Sequence, residues 1–251
     1  MTLDVLCLMA HRDDAELICG GTLIKLKDQG YSVGIIDFSQ GEMGTRGNAE
    51  ERAREAECAA GIMGIELRIN LGFPDAHIEN TVKNRRPVVE VIREYRPCLV
   101  ITHDQNNRNP DHTHTSFLVR ESCFTAGLVK YDTGQEPHRP NKILYGMEYF
   151  MTTPTILVDI TEQFERKKQA IACYKSQMFN PSYPGRETYL ASNRFLHEVE
   201  SQLRYFGSKI HTEYAEGFRM DTPVEIVDVV KEIGLRALIP GRMNERKKKY
   251  D

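Results

Sequence analysis

A chain of 251 residues with 40% hydrophobic and 27% charged residues has the make-up of an ordinary globular protein and the length for one large α/β domain with a sizeable core. The formal net charge of −3 gives no reason to expect a nucleic-acid or polyanion partner. No apolar run reaches membrane-spanning length and no signal peptide precedes the first strand, so the default expectation is a cytoplasmic protein without a membrane partner.

Short apolar runs alternate with helical patterns, which predicts βαβ units: a single-domain, Rossmann-like, mostly parallel sheet flanked by helices. The first strand is expected near Leu3–Met9 and the first helix from about Ala15 to Gln29. Gly20-Gly21 inside that helix costs about 1 kcal/mol per glycine relative to alanine, which points to close backbone approach or to a packing need. A second strand is predicted over Val33–Phe38, then a polar loop from Ser39 to Asn48, a helix over Ala49–Met63 and a third strand over Leu67–Leu71. A helix near Arg85–Tyr95, a strand over Cys98–Thr102 and a helix from His112 through Ala126 follow. Further on the pattern weakens. Ile143–Met147 and Thr155–Val158 read as strands, Glu162–Tyr174 and Phe195–Phe206 as helices, and Tyr214–Phe218 as a last strand. The domain is expected to occupy residues 1–240, with 241–251 a basic, frayed tail. Six cysteines are scattered without any Cys-x-x-Cys, so neither a disulfide framework nor a thiolate metal site is indicated. G-x-G-x-x-G is also absent, so the usual dinucleotide-binding fold has no support.

The first strand runs directly into Ala10-His11-Arg12-Asp13-Asp14, and the fourth leads to Asn109-Pro110-Asp111-His112. Both stretches fall at the C-terminal edge of the sheet, where ligands bind in open α/β folds. A catalytic zinc needs three protein ligands and an open position. His11 and Asp14 are suitable N and O donors, and His112 supplies the third. Asp13 is then free to act as base on an activated water. The plain alternative is a pair of aspartates opening a helix. Arg46, Arg52 and Arg108 all lie in or near loops of the same edge and are candidate contacts for an anionic substrate group. Asp75 is a candidate acceptor from sugar hydroxyls. His138-Arg139 could reach either the site or a subunit interface.

These paired motifs resemble the PIG-L/LmbE family of zinc-dependent N-acetylglucosamine deacetylases, whose pattern is Ala-His-Pro-Asp-Asp early and His-Pro-Asp-His about a hundred residues on. Gly41-Glu42-Met43-Gly44-Thr45-Arg46-Gly47, Asn70-Leu71-Gly72-Phe73-Pro74-Asp75, Pro137-His138-Arg139-Pro140, Tyr174-Lys175-Ser176-Gln177 and Tyr214-Ala215-Glu216-Gly217-Phe218 carry a nearer likeness to the deacetylases of bacillithiol biosynthesis, which act on N-acetylglucosaminyl-malate. The resemblance implies one Zn²⁺ on His11, Asp14 and His112, Asp13 as general base, a small amino-sugar substrate and a homo-oligomer, often a hexamer. It also gives the residue at 109 a catalytic role supported by Asp111. The chain departs from the pattern there, because Asn109 can donate a neutral hydrogen bond to an oxyanion but cannot deliver a proton. His103 and His114 are nearby candidates to compensate, against a plainer reading of both as loop or helix-surface histidines.

Two other readings stand beside this one. The same chemistry could serve another amino-sugar conjugate: a chito-oligosaccharide, a glycolipid precursor or an antibiotic intermediate. Alternatively, with Asn109 in place of histidine, the chain is a weakly active or non-catalytic sugar- or metal-binding homologue. The intact Asp13 argues against the last, because binding alone needs no free base.

Overall fold

The computed structural model describes residues 1–148, 153–230 and 233; the expected basic tail lies outside them. Seven strands form one sheet in the order β3-β2-β1-β4-β5-β7-β6. The strands are β1 (Val5–Met9), β2 (Val33–Ser39), β3 (Leu67–Phe73), β4 (Leu99–His103), β5 (Lys142–Gly146), β6 (Ile156–Asp159) and β7 (Ala215–Arg219). The first five pair in parallel, and β7 pairs antiparallel to both β5 and β6. This is the expected α/β class, with an antiparallel edge added.

All five residues of β1 are buried, and their alternation divides the core. Val5, Cys7 and Met9 face one apolar layer, shared with α1 (Asp14–Asp28), α2 (Ala49–Met63) and α5 (Phe164–Ala172). Leu6, Leu8 and Ala10 face the other, shared with α3 (Val82–Tyr95) and α4 (Pro110–Ala126). A strand covered on both faces reads as a continuous apolar run, as a central parallel strand should. The strand order reverses direction between β1 and β4, and the crevice beyond their C-terminal ends is the topological switch point where such sheets take ligands.

Several boundaries move. α3 starts at Val82, earlier than Arg85, because Thr81 caps it by accepting from the Asn84 N–H at 3.2 Å. The helix expected over Glu162–Tyr174 opens with a 3₁₀ turn (Thr161–Gln163) and ends at Ala172. The helix expected over Phe195–Phe206, α6, runs further at both ends, over Asn193–Lys209. The cysteine expectation is corrected at one pair: Cys58 and Cys173 form a disulfide with their Cα atoms 5.9 Å apart. They are separated by 115 residues, so no spacing pattern could have paired them; the packing of α2 against α5 does. The disulfide gives no support to the expected cytoplasmic setting, since such bonds persist mainly in oxidising compartments. Among the described residues, no helix is long and apolar enough to cross a membrane.

Of the two glycines in α1, Gly21 has a packing explanation, whereas a Cβ on Gly20 would meet only ordinary contacts at 3.6 Å. A Cβ on Gly21 would stand 2.7 Å from Ile160 Cδ1. At the same place Glu216, from β7, accepts from the N–H groups of Gly21 (2.8 Å) and Thr22 (2.7 Å). Lys167 Nζ donates to Glu216 at 2.7 Å and to the Leu17 carbonyl at 2.8 Å. Both charged side chains are fully buried. This pair ties α1 to α5 and β7, and α1 carries Asp14 at its first turn. Removing one member of a buried, hydrogen-bonded pair leaves an uncompensated charge. Lys167→Met is therefore expected to destabilise the protein by about 3–5 kcal/mol, read as a lowered urea midpoint with unchanged slope; an unchanged midpoint would show that the pair is not what holds α1.

Candidate active site

The residues closing β1 turn straight into α1, and this turn sets the site. Asp14 Oδ2 accepts from the His11 N–H at 2.7 Å. Asp13 occupies the N-cap position of α1 but makes no side-chain cap, so the aspartate pair does more than open a helix. Arg12 Nη1 donates to the Ala49 carbonyl, while the Arg12 carbonyl accepts from Arg68 and from the Tyr174 hydroxyl. On the neighbouring strand, His103 ends β4, and its Nε2 accepts from the Ala10 N–H at 3.0 Å. The next connection places Asn109 as N-cap of α4 and His112 in the helix's first turn.

Three side chains converge through four donor atoms, two imidazole nitrogens and both oxygens of Asp14. His11 Nδ1 is 3.2 Å from His112 Nε2 and 3.3 Å from Asp14 Oδ2, and His112 Nε2 is 3.3 Å from Asp14 Oδ1. Atoms held about 2.0–2.1 Å from a tetrahedral metal lie about 3.3–3.4 Å from one another. Each nearest pair therefore has the spacing of two ligands of such a centre; His11, Asp14 and His112 form a triangle of residues, and two imidazoles with one carboxylate have the chemistry of a zinc-type donor set. Each imidazole is held on its far side by acids. His112 Nδ1 donates to Glu148 Oε2 at 2.8 Å, and His11 Nε2 is 3.2 Å from Asp75 Oδ1 and 3.4 Å from Asp111 Oδ2. Such carboxylates fix the ring and its tautomer. They are anchored in turn. Asp111 accepts from the N–H groups of Ala76 and Ile78. Asp75 accepts from those of Met43 and Ala76.

Burial alone would raise the Asp14 carboxyl, but the rings of His112, His103 and His11 outweigh it and hold it well below the usual range. Burial would lower both triangle histidines; Asp14 with Glu148 pushes His112 up to about 10, and Asp14 with Asp111 and Asp75 raises His11 well above its ordinary value. His103 moves the other way, lowered by burial and then by His112.

A cavity of about 320 Å³ opens over the triangle, lined by His11, Asp13, Asp14, Arg52, Arg108 and Asn109 among others. Arg52 Nη2 lies 3.2 Å from Asp13 Oδ1, and its Nη1 donates to the Gly41 carbonyl at 3.1 Å. Gly41, at φ +74°, is the position where a Cβ would collide with this guanidinium. The second Asp13 oxygen has no protein partner among the described residues. Arg108 reaches the cavity with its guanidinium 5.8 Å from the Tyr189 ring centre.

The other expected residues fall differently. Arg46 does not line the cavity; it is buried over the Tyr183 ring at 4.5 Å. Asp75 lines the cavity, but its carboxylate also holds His11 and the 43–76 backbone. Asp111 supports His11, not residue 109; the Asn109 side chain instead accepts from the Asp111 N–H at 3.0 Å. His103 is no loop histidine: it is fully buried, its ring stacked 4.0 Å from that of His112. His114 is an exposed helix residue bonded to the Ile78 carbonyl. His138 and Arg139 contact Pro97 and Phe124. Phe124 is about 21 Å from the N-terminus of α4 by helix rise, and the His138 N–H donates to the Ala126 carbonyl at the same end, so within one chain neither reaches the site. Glu148 was missed altogether. Its signal was present: it follows the apolar run of β5 as His11 follows that of β1, and strand ends at this edge are where functional groups collect.

Residues 6–123 match the PIG-L family, described as GlcNAc-PI de-N-acetylase. The chain is 30% identical over 230 residues to the diacetylchitobiose deacetylase of Thermococcus kodakarensis, covering 86% of this chain and 82% of that protein. Among solved structures it is similar to the conserved protein TT1542 from Thermus thermophilus, at 34% identity and a TM-score of 0.82, covering 90% of this chain and 98% of that one. It is also similar to the N,N'-diacetylchitobiose deacetylase from Pyrococcus horikoshii, at 26% identity and a TM-score of 0.76, covering 91% and 85%.

His11 Nδ1 and His112 Nε2 face each other at 3.2 Å, too closely for both to carry a proton, and the acids around the two rings favour a proton on one of them. A metal entering the triangle must displace that proton. Uptake of zinc by metal-stripped protein is therefore expected to acidify a weakly buffered solution and to tighten as pH rises from about 6 to 9. An affinity independent of pH over that range would argue against the triangle as the binding site.

Proposed function

The chain belongs to the PIG-L (GlcNAc-PI de-N-acetylase) family, and from that premise we propose that it is a zinc-dependent N-deacetylase of an N-acetylglucosaminyl conjugate, with N-acetylglucosaminyl-malate as the leading substrate. The observation that carries the reading is the triangle of His11, Asp14 and His112, whose nearest donor atoms lie 3.2–3.3 Å apart pair by pair, with Asp13 beside it and held by Arg52. His11, Asp14 and His112 would hold the metal. When bound, zinc supplies Lewis-acid polarisation of the amide carbonyl and acidifies a water.

The rest belongs to the chain's own side chains. Arg52 takes one Asp13 oxygen, which orients the carboxylate and leaves the other oxygen to accept the proton of the attacking water. The water oxygen bonds to the amide carbon, the C–N bond breaks, and Asp13 returns the proton to the departing amine. Asn109, on the cavity wall, offers a neutral amide donor to the developing oxyanion, weaker than a charged donor would be. Asp75, Asp111 and Glu148 keep the imidazoles from turning. Arg108 and Arg52, both on the cavity wall, support an anionic aglycone; Arg46, away from the cavity, no longer does. The similarity to diacetylchitobiose deacetylases supports a second reading, a disaccharide substrate. A homo-oligomer, which sizing would test, completes the proposal.

Asp13→Asn is expected to leave zinc content near wild type while lowering kcat by about two to four orders of magnitude; His112→Ala is expected to abolish stoichiometric zinc. Loss of metal in the Asp13 variant would make Asp13 a ligand and reverse the assignment of the pair.

Acetate release measured in parallel on N-acetylglucosaminyl-malate, N,N'-diacetylchitobiose and free N-acetylglucosamine tests the substrate. The malate conjugate is expected to be preferred, and Arg108→Gln to reduce that preference by roughly 1.5–3 kcal/mol, the worth of a charged hydrogen bond. Equal kcat/KM on the malate conjugate and the free sugar would remove the anionic-aglycone site, and a preference for the disaccharide would favour the second reading.

A further inference from the structure

A second cavity of about 230 Å³ adjoins the site. Its walls come from the first turns of α1, the end of β5, β7 and the inner face of α6. Leu17, Ile18, Phe195, Val199, Leu203 and Phe206 make it predominantly apolar. Leu17, Glu148 and Phe195 line this cavity and the polar one alike, so the two meet along that strip. Glu148 is the acid that holds His112, and Leu17 follows Asp14 by one helical turn on the same face of α1. The junction therefore lies directly behind the donor triangle. The arginines and Asn109, which face the sugar and its aglycone in the proposed reading, belong to the polar cavity alone.

An amide seated with its carbonyl at the triangle has two substituents to place. The amine side carries the sugar, whose hydroxyls need the polar wall. The acyl side carries only carbon. An apolar cavity beside a polar site gives water few partners, and filling it with methylene groups is favourable. We propose, building on the deacetylase reading, that this annex is an acyl-chain site: the enzyme cleaves N-acyl amino sugars with straight chains of about four to six carbons, not acetyl alone. The class of substrate is a short- to medium-chain N-acylglucosamine, and Val199, Leu203 and Phe206 are its length-determining residues.

The test is a chain-length series. N-acetyl-, N-butanoyl- and N-hexanoyl-glucosamine, free and malate-linked, are assayed with zinc-loaded protein by release of the primary amine. Burial of a methylene contributes about 0.8 kcal/mol, so kcat/KM is expected to rise about fourfold per added carbon until the annex is filled. Val199→Phe, which narrows the annex from α6 without touching the triangle, is expected to keep acetyl release and lose the gain with length. Acetyl turnover with a flat or falling series in the wild type overturns the proposal and leaves the deacetylase reading intact. No amine from any member, the acetyl compounds included, removes both. A gain with length that survives Val199→Phe places the chain elsewhere and also overturns it. So does the same gain for the hexyl glycoside of N-acetylglucosamine, if Val199→Phe abolishes it, because the annex would then hold the aglycone.

Discussion

The site depends on keeping two imidazoles and a carboxylate together, with the nearest donor atoms of each pair 3.2–3.3 Å apart, when each is carried by a different residue. Left alone, two imidazoles and a carboxylate on three separate side chains would spread over many rotamers, and ordering long side chains costs entropy. The fold removes that freedom by tethering the far side of every ring. Glu148 takes Nδ1 of His112, and the Asp75–Asp111 pair flanks Nε2 of His11. The acids are themselves immobilised: backbone N–H groups take Asp75 and Asp111, and Asn107 Nδ2 donates to Glu148 at 2.8 Å. Preorganisation of this kind decides whether a metal or substrate meets a ready geometry or must assemble one.

The same logic explains a substitution in the first motif. The pattern this chain resembles has proline where Arg12 stands. Proline fixes φ by its ring. Arg12 has no such ring, and three contacts restrain it instead: its guanidinium to the Ala49 carbonyl, and its own carbonyl to Arg68 and Tyr174. Arg68 is itself buried between Glu16 and Asp37, at 2.5 Å and 2.7 Å. Burial would lower its pKa, but these two acids hold it well above the usual arginine range. A buried cation on β3 thus fixes the turn between β1 and α1. Rigidity that one residue type provides locally is replaced here by a network that only the folded chain brings together.

What could be read before folding follows from the range of the interactions. The parallel strands, most helices and the positions of His11, Asp13, Asp14, Asn109 and His112 at one sheet edge are consequences of local patterning, and they stood in the sequence. Asp75 was legible as an edge residue but not in its second role, because nothing local says that its carboxylate meets an imidazole 64 positions away, counting from His11 to Asp75. His103 was misread for a related reason: the strand pattern ends at Thr102, and only the pairing of β1 with β4 turns the next residue into an acceptor for Ala10. Arg46 failed in the opposite direction. A glycine-flanked arginine in an edge loop has the composition of an anion contact, yet the loop folds it against Tyr183.

The C-terminal third was the least legible part, and it is where the two halves of the molecule are joined. The parallel strands supply the donors, but α1, which carries Asp14, is secured from outside by Glu216 of β7 and Lys167 of α5. Neither charge looks like a core residue by composition, since a charge is rarely fully buried unless paired. Each becomes acceptable only because the other is present and because the N–H groups of Gly21 and Thr22 also bond the Glu216 carboxylate. β7 runs antiparallel to its neighbours, and α6 packs against it and lines the cavity beside the site. An all-parallel continuation would need another crossover helix there. The added edge thus does two things at once: it anchors the first helix beneath the metal-type donors and supplies, through α6, an apolar wall beside them.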